Sequence, residues 1–304
     1  ELADTGVVFS HCYTPSPITV PTMVCLNAGQ LPKTCGCEGW LDLEPGHMTF
    51  ARLFARYAYE TVACGRLMHQ GPDIMAGWTR RIGDDIMSRD NYLADKVEAE
   101  WARYTRPLSE VKWSDAKEIQ RAGVAYAHNQ KTDDYAVQGA LTYLERHFLD
   151  AHYDRENPNR PLLLRVGLAQ PHYPYYTDEE KFRYYLPRVK PFLGQTPFDH
   201  PFLSQRQVRP MIDATEREIR RAVAAYYGMV ETIDELYGVV LDALRLVGQD
   251  PDEWIIVYTS DHGEMLGEHG IWEKQKFFEG SARVPLIIHY PKMLPGGTVV
   301  DENV

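Results

Sequence analysis

A chain of 304 residues with 44% hydrophobic residues has the length and composition of one large α/β domain with a sizeable core. Its net charge of −11 argues against a nucleic-acid partner, which favours a basic face, although a few local cations can still hold an anionic substrate. The sequence contains no run of about 18 apolar residues, so no segment is expected to span a membrane.

Taken in order, Glu1 to Gly6 reads as the last turn of a helix with a glycine stop, and Val7 to Phe9 opens a strand. Residues 9–32 follow as FSHCYTPSPITVPTMVCLNAGQLP, in which Thr19 by itself reads as a helix cap. The five cysteines have no zinc-type spacing, and Cys35 and Cys37 are too close in sequence to pair well, so reduced thiols and a cytoplasmic setting are expected. Residues 48–58 read as a helix with Phe50, Leu53, Phe54 and Tyr57 on one face. Tyr59 to Ala63 is a short strand, and Arg66 and His69 follow it with the spacing of a surface pair.

From Ile82 to about Thr132 the chain is charged, aromatic and irregular, which suits either a solvated face or an insertion over a pocket. Ala136 to Leu149 is an amphipathic helix. Pro161 to Ala169 is a buried strand that runs into Gln170-Pro171-His172-Tyr173-Pro174. Leu186 to Pro210 is a proline-rich surface excursion, and Glu216 to Val247 a long helix with Tyr226, Met229, Ile233 and Tyr237 as its core stripe. Trp254 to Tyr258 has the β-branched character of a buried parallel strand. Asp261 and His262 follow it directly, where open α/β sheets place their ligands, and both suit a divalent cation. His269, Trp272 and Lys274 lie in the glycine-bounded loop beyond, and Val284 to Tyr290 returns as a strand.

The string SDHGEMLGEHGIWEK followed by FFEGSARVPL closely resembles the sulfatase family of the alkaline phosphatase superfamily, with its choline sulfatase, iduronate sulfatase and phosphonate monoester hydrolase branches. The resemblance extends to residues 9–32, to G-P-D-x-x-x-G at Gly71 to Gly77, and to P-H-x-P at Pro171 to Pro174. It implies an α/β fold with a mostly parallel sheet sandwiched by helices. It also implies a single catalytic domain over residues 1–304 that is incomplete at both ends, with 82–132 inserted near the pocket. An opening strand with two acidic metal ligands would precede residue 1, and a further subdomain would follow Val304.

The position that the family oxidises to formylglycine is Thr19 here, and the arginine four residues on is Met23, so formylglycine is not expected. A sulfate ester on threonine lacks the collapse to an aldehyde that releases sulfate from formylglycine, whereas water can clear a phosphothreonine. The resemblance therefore implies Thr19 as nucleophile, and Asp261 and His262 as ligands of one divalent ion, calcium or manganese rather than a zinc pair. Arg66, His69 and Lys274 would face the charged ester oxygens, and His172 or His269 would protonate the leaving group. Three readings follow: a hydrolase of phosphodiesters or phosphonate monoesters, a sulfatase, and a silent relative that only binds anionic esters. The partner in each is a small anionic ester, with homo-oligomerisation left open.

Overall fold

Apolar runs of alternating or continuous burial pair here into small sheets, and four strand ends deliver the functional loops. The computed structural model describes residues 1–39, 41–67, 73–83, 116–149, 160–196, 200–204 and 207–304. After a single turn, Leu2–Thr5, strand β1 spans Val7–Tyr13. Strands β2 (Glu60–Gly65), β3 (Arg80–Ile82), β4 (Gly123–Val124), β5 (Leu162–Gly167) and β6 (Tyr176–Thr177) follow. The chain then forms β7 (Ile256–Thr259), β8 (Met265–Leu266), β9 (Trp272–Glu273), β10 (Arg283–His289) and β11 (Thr298–Asn303).

One sheet has the order β11-β1-β10-β7 and a second has the order β3-β2-β5. All pairings in the second are parallel, with Val62 opposite Leu164 and Cys64 opposite Val166. In the first, β1 runs parallel to β11, while β10 lies antiparallel between β1 and β7. β1 and β7 therefore point the same way. The α/β architecture stands, with one correction: the 254–258 run pairs antiparallel with β10, and its Val257 is 56% exposed. An apolar β-branched run encodes strand propensity and not strand direction.

Helices cover the sheets. Thr215 forms a capping box with Glu218 at the start of the 31-residue helix Glu216–Leu246. That helix buries Met229 and Ile233 and packs with Tyr175, Phe182 and Trp272 in the largest core cluster. The helix His128–Leu149 starts eight residues before the apolar pattern suggested, and its first turns bury Asn129, Gln130, Thr132 and Asp133. The early helix is shorter than expected, Phe50–Arg56, and its inward residue is Ala51, with Leu53 and Tyr57 exposed. Seven residues make under two turns, too few to carry a full apolar stripe.

Two glycines bring the loops of the second sheet together. Gly65 has φ +77° at the end of β2, and a Cβ there would sit 2.3 Å from the carbonyl oxygen of Gly167. This close approach lets the Arg66 N–H donate to Gly167 O at 2.9 Å, and sets the segment after β2 beside that after β5. Of the 82–132 insertion, residues 84–115 lie outside the described residues, and Ala116–Gln120 forms a short helix packed on Glu216–Leu246. All five cysteines are free thiols. Among the described residues no helix is long and apolar enough to cross a membrane.

Candidate active site

Thr19 is the first residue of the helix Thr19–Ala28, whose N-cap is the extended residue Ile18. Pro21 falls in the first turn, where a missing N–H costs the helix nothing. The Thr19 hydroxyl makes no capping bond to that helix. Instead Oγ1 lies 2.9 Å from Nε2 of His262, and the residue is 4% exposed. The segment before it is held to the distal loop: Gln275 N–H donates to Pro17 O at 2.9 Å, and Thr14 N–H to Ala282 O at 2.9 Å.

His262 follows β7 and is fixed at both ring nitrogens. Nδ1 lies 2.8 Å from Gly263 O, so Nδ1–H donates there and the lone pair of Nε2 faces the Thr19 hydroxyl. Asp261 Oδ2 is 3.4 Å from the same Nε2, and its Oδ1 accepts the His262 N–H at 3.0 Å. Gly263 is packed against Gly280, and its N–H donates to Ser281 O at 2.8 Å, closing the loop on itself.

Burial pushes the His262 imidazole down to about 4, and the cations of Lys274 and Arg66 add to this against the pull of Asp261. For Asp261, burial alone would raise the carboxyl, but His262, Arg66 and Lys274 hold it below the ordinary value. At neutral pH the corner therefore holds a carboxylate, a neutral imidazole and a hydroxyl. A carboxylate and an imidazole in a desolvated corner are a donor set that fits a divalent cation. Among the described residues no group of three His, Cys, Asp or Glu side chains converges that could hold a metal ion.

Arg66 follows β2, and its Nε is buried with no hydrogen-bond partner among the described residues. Lys274 is 6% exposed, with Nζ 5.6 Å from the centroid of the Tyr173 ring. His172, after β5, turns Nδ1–H to Tyr173 O at 2.8 Å, which leaves Nε2 as the reactive nitrogen. Desolvation drives this ring well below the ordinary histidine value, and Lys274, Arg66 and His262 push the same way. Thr19, Asp261, His262, Arg66, Lys274 and His172 thus share one electrostatic neighbourhood at the ends of β1, β2, β5 and β7.

His69 lies outside the described residues. His269 takes a left-handed conformation, φ 56°, stacks at 4.6 Å on Phe278, and is held by Gln195 at its N–H and Gln207 at its carbonyl. Arg165 of β5 brings Nη2 to 3.3 Å from the Met23 sulfur and donates from Nη1 to Asn27 Oδ1 at 2.9 Å. Two polar groups escaped the motif reading. Glu264 accepts from the buried Tyr175 hydroxyl at 2.8 Å, and Asp133, fully buried, accepts from the backbone beside His172. No sequence signal pointed to Asp133, since polar residues at the start of an amphipathic helix look solvent-facing.

Comparison with known proteins agrees with this fold. The sulfatase family model matches residues 1–304. Choline-sulfatase of Rhizobium meliloti (strain 1021) is 31% identical over 306 residues, covering 97% of this chain and 58% of that protein. Arylsulfatase K of Gallus gallus is 28% identical, covering 94% of this chain and 52% of that protein. In fold, phosphonate monoester hydrolase of Agrobacterium radiobacter superposes with a TM-score of 0.72 at 21% identity, covering 99% of this chain and 64% of that one. The chain spans little more than half the length of these curated relatives.

Proposed function

The chain belongs to the sulfatase family, and from that premise we propose that it carries the core of a metal-dependent ester hydrolase acting on phosphodiesters or phosphonate monoesters through Thr19. The observation that carries this reading is the 2.9 Å contact between Thr19 Oγ1 and the unprotonated Nε2 of His262. It aims a hydroxyl, rather than a formylglycine precursor, at the centre of the charged cluster.

Asp261 and His262 would hold one divalent ion, calcium or manganese, together with ligands beyond those described; when bound, such an ion lowers the pKa of a neighbouring hydroxyl and draws charge from an ester oxygen. Arg66 and Lys274 place two cations where the non-bridging oxygens gather charge, in a desolvated site where such charges act strongly. An arginine fork suits a tetrahedral oxyanion. Thr19 loses its hydroxyl proton to solvent, and Oγ attacks phosphorus in line with the leaving oxygen, forming the Thr19 phosphoester as the bond to the leaving alcohol breaks. Nε2 of His172 delivers the proton that the departing alkoxide needs, after the arriving anion has offset the cations that keep the ring neutral. Water then clears the phosphothreonine.

A second reading, sulfate-ester hydrolysis, is favoured by the similarity to choline-sulfatase. Against it stands the stability of a threonine sulfate, which has no internal exit. The full-length protein, supplied with manganese or calcium, should be assayed on a phosphodiester, a phosphonate monoester, a phosphomonoester and a sulfate ester of one chromogenic alcohol, beside Thr19→Ala. Phosphoester turnover that collapses in the variant upholds the proposal. Sulfate turnover that survives the substitution sinks Thr19 as nucleophile, and a metal-bound protein without any turnover is a silent binder.

A further inference from the structure

The loop that presents His172 is gripped from one side by the first turns of the helix His128–Leu149. Asp133 is 0% exposed and spends its carboxylate entirely on this loop. Oδ1 accepts the Ala169 N–H at 2.5 Å, and Oδ2 accepts both the Gln170 N–H and the Gln170 side-chain amide at 3.0 Å. One turn earlier, the Asn129 side-chain amide donates to the carbonyl oxygens of His172 at 2.8 Å and Tyr173 at 3.0 Å. The second of those carbonyls is the one that takes the His172 Nδ1–H. The chain of contacts therefore runs from Asp133 through two backbone amides, and from Asn129 through two carbonyls, to the tautomer and direction of the His172 ring.

Burial of a carboxylate is expensive unless it is fully hydrogen-bonded. Burial indeed raises the Asp133 carboxyl, against the two backbone amides, the Gln170 amide and the nearby Arg66 cation. A buried anion that only braced a loop could be replaced by an apolar contact without that cost. Here it is bonded to the segment after β5 and lies within the field of Arg66, which follows β2.

We infer that Asp133, with Asn129, is a positioning residue that sets the His172 ring for proton delivery to the leaving oxygen. The inference rests on the reading of His172 as the acid of the proposed reaction. An acid out of place costs most when the leaving alkoxide is poor, and little when it is already stable.

The test uses the full-length metal-loaded protein and two esters of the same acid, one of 4-nitrophenol and one of phenol. Asp133→Asn should lower kcat/KM on the phenyl ester by about 10- to 100-fold while changing the nitrophenyl ester by less than about threefold. Its loss should not multiply with that of His172→Ala in the double variant. Asn129→Ala, which leaves the carboxylate in place, should show the same bias and stands in if Asp133→Asn fails to fold. Equal slowing of both esters, or full multiplication with His172→Ala, overturns the inference. If His172→Ala itself treats both esters alike, the acid reading falls, and the ring 15N spectrum decides Asp133 alone. A His172 Nδ1–H signature that Asp133→Asn or Asn129→Ala disperses upholds positioning, and an unchanged ring spectrum overturns it.

Discussion

Thr19 Oγ1 and His262 Nε2 stand 2.9 Å apart although 243 residues separate them in the chain. The contact joins the first turn of the helix after β1 to the loop after β7, two strands that run in the same direction on either side of β10. A helix-capping threonine would turn its oxygen to its own backbone amides; Thr19 is the first residue of its helix after the N-cap Ile18, and its oxygen meets His262 instead. Thr19→Ala should therefore lose roughly 1,000-fold or more of kcat, with folding intact. Thr19→Ser should keep measurable turnover, since it keeps the hydroxyl. Intact-mass analysis of a rapidly quenched reaction should find a phosphoryl adduct on the wild-type chain. Undiminished turnover in Thr19→Ala would move the nucleophile elsewhere.

The His172 ring is kept neutral by its desolvation and by the cations of Lys274 and Arg66. An arriving oxyanion offsets those cations and raises the ring's proton affinity. By linkage, binding then takes up protons, and anion affinity rises as pH falls toward the ordinary histidine range. Calorimetric titration with vanadate or phosphate near pH 6.5, in buffers of different ionisation enthalpy, should show uptake of up to about one proton per site. His172→Ala should remove most of that uptake. Equal uptake in both proteins would place the proton on another group.

Much of this site could be read from residue order because its parts follow strand ends with tight spacing. Asp261 and His262 come directly after an apolar run, His172 lies between two prolines after another, and Arg66 follows a glycine that closes β2. Strand direction was not legible: the apolar residues of Arg283–His289 read the same whichever way its neighbours run. Nor was Asp133. Amphipathic patterning finds the apolar stripe of its helix, while the polar residues at the helix start look like ordinary solvent-facing positions. Only the fold reveals that they face a loop forty residues downstream. The apolar 254–258 run misled for a related reason, since apolarity alone does not say which flank another strand covers.

Arg66 and Lys274 are the two cations whose charges push both His172 and His262 down. Their burial makes them suited to charge that grows in the transition state. Lys274→Met and Arg66→Met should each lower kcat/KM by about 100-fold or more. Arg66→Lys should recover only part, because a point charge replaces a fork. Parallel losses on phosphonate and phosphodiester substrates would fit contact with shared non-bridging oxygens. A loss confined to one leaving group would place the side chain on the alcohol instead.

The carboxylate and imidazole of Asp261 and His262 imply dependence on a hard or borderline divalent ion. Dialysis against a chelator should abolish turnover, and calcium or manganese should restore it better than zinc. His262→Ala should weaken the apparent affinity for the restoring ion, read as a higher half-saturating concentration. Full activity after exhaustive chelation, with metal content checked by elemental analysis, would remove the ion from the proposal.

Asp73, within the G-P-D-x-x-x-G stretch, tests whether that motif is structural. Its carboxylate accepts N–H groups of Gly46 at 3.2 Å and Ala76 at 3.1 Å, and pairs with Arg52 at 2.6 Å. Burial works to raise this carboxyl, but the two amides and the guanidinium outweigh it and hold it below its ordinary 3.8. A folded-state value below the unfolded one means stability that is complete above about pH 4 and drains away as pH falls through the folded value. Asp73→Asn should cost about 1–2 kcal/mol in urea unfolding at pH 7, and the gap to wild type should close as the pH approaches 3. Catalytic constants of the folded variant should stay near wild type, since all three partners of the carboxylate are structural. A deficit that is the same at pH 3 and pH 7 would show that packing, rather than the charge, is what Asp73 supplies.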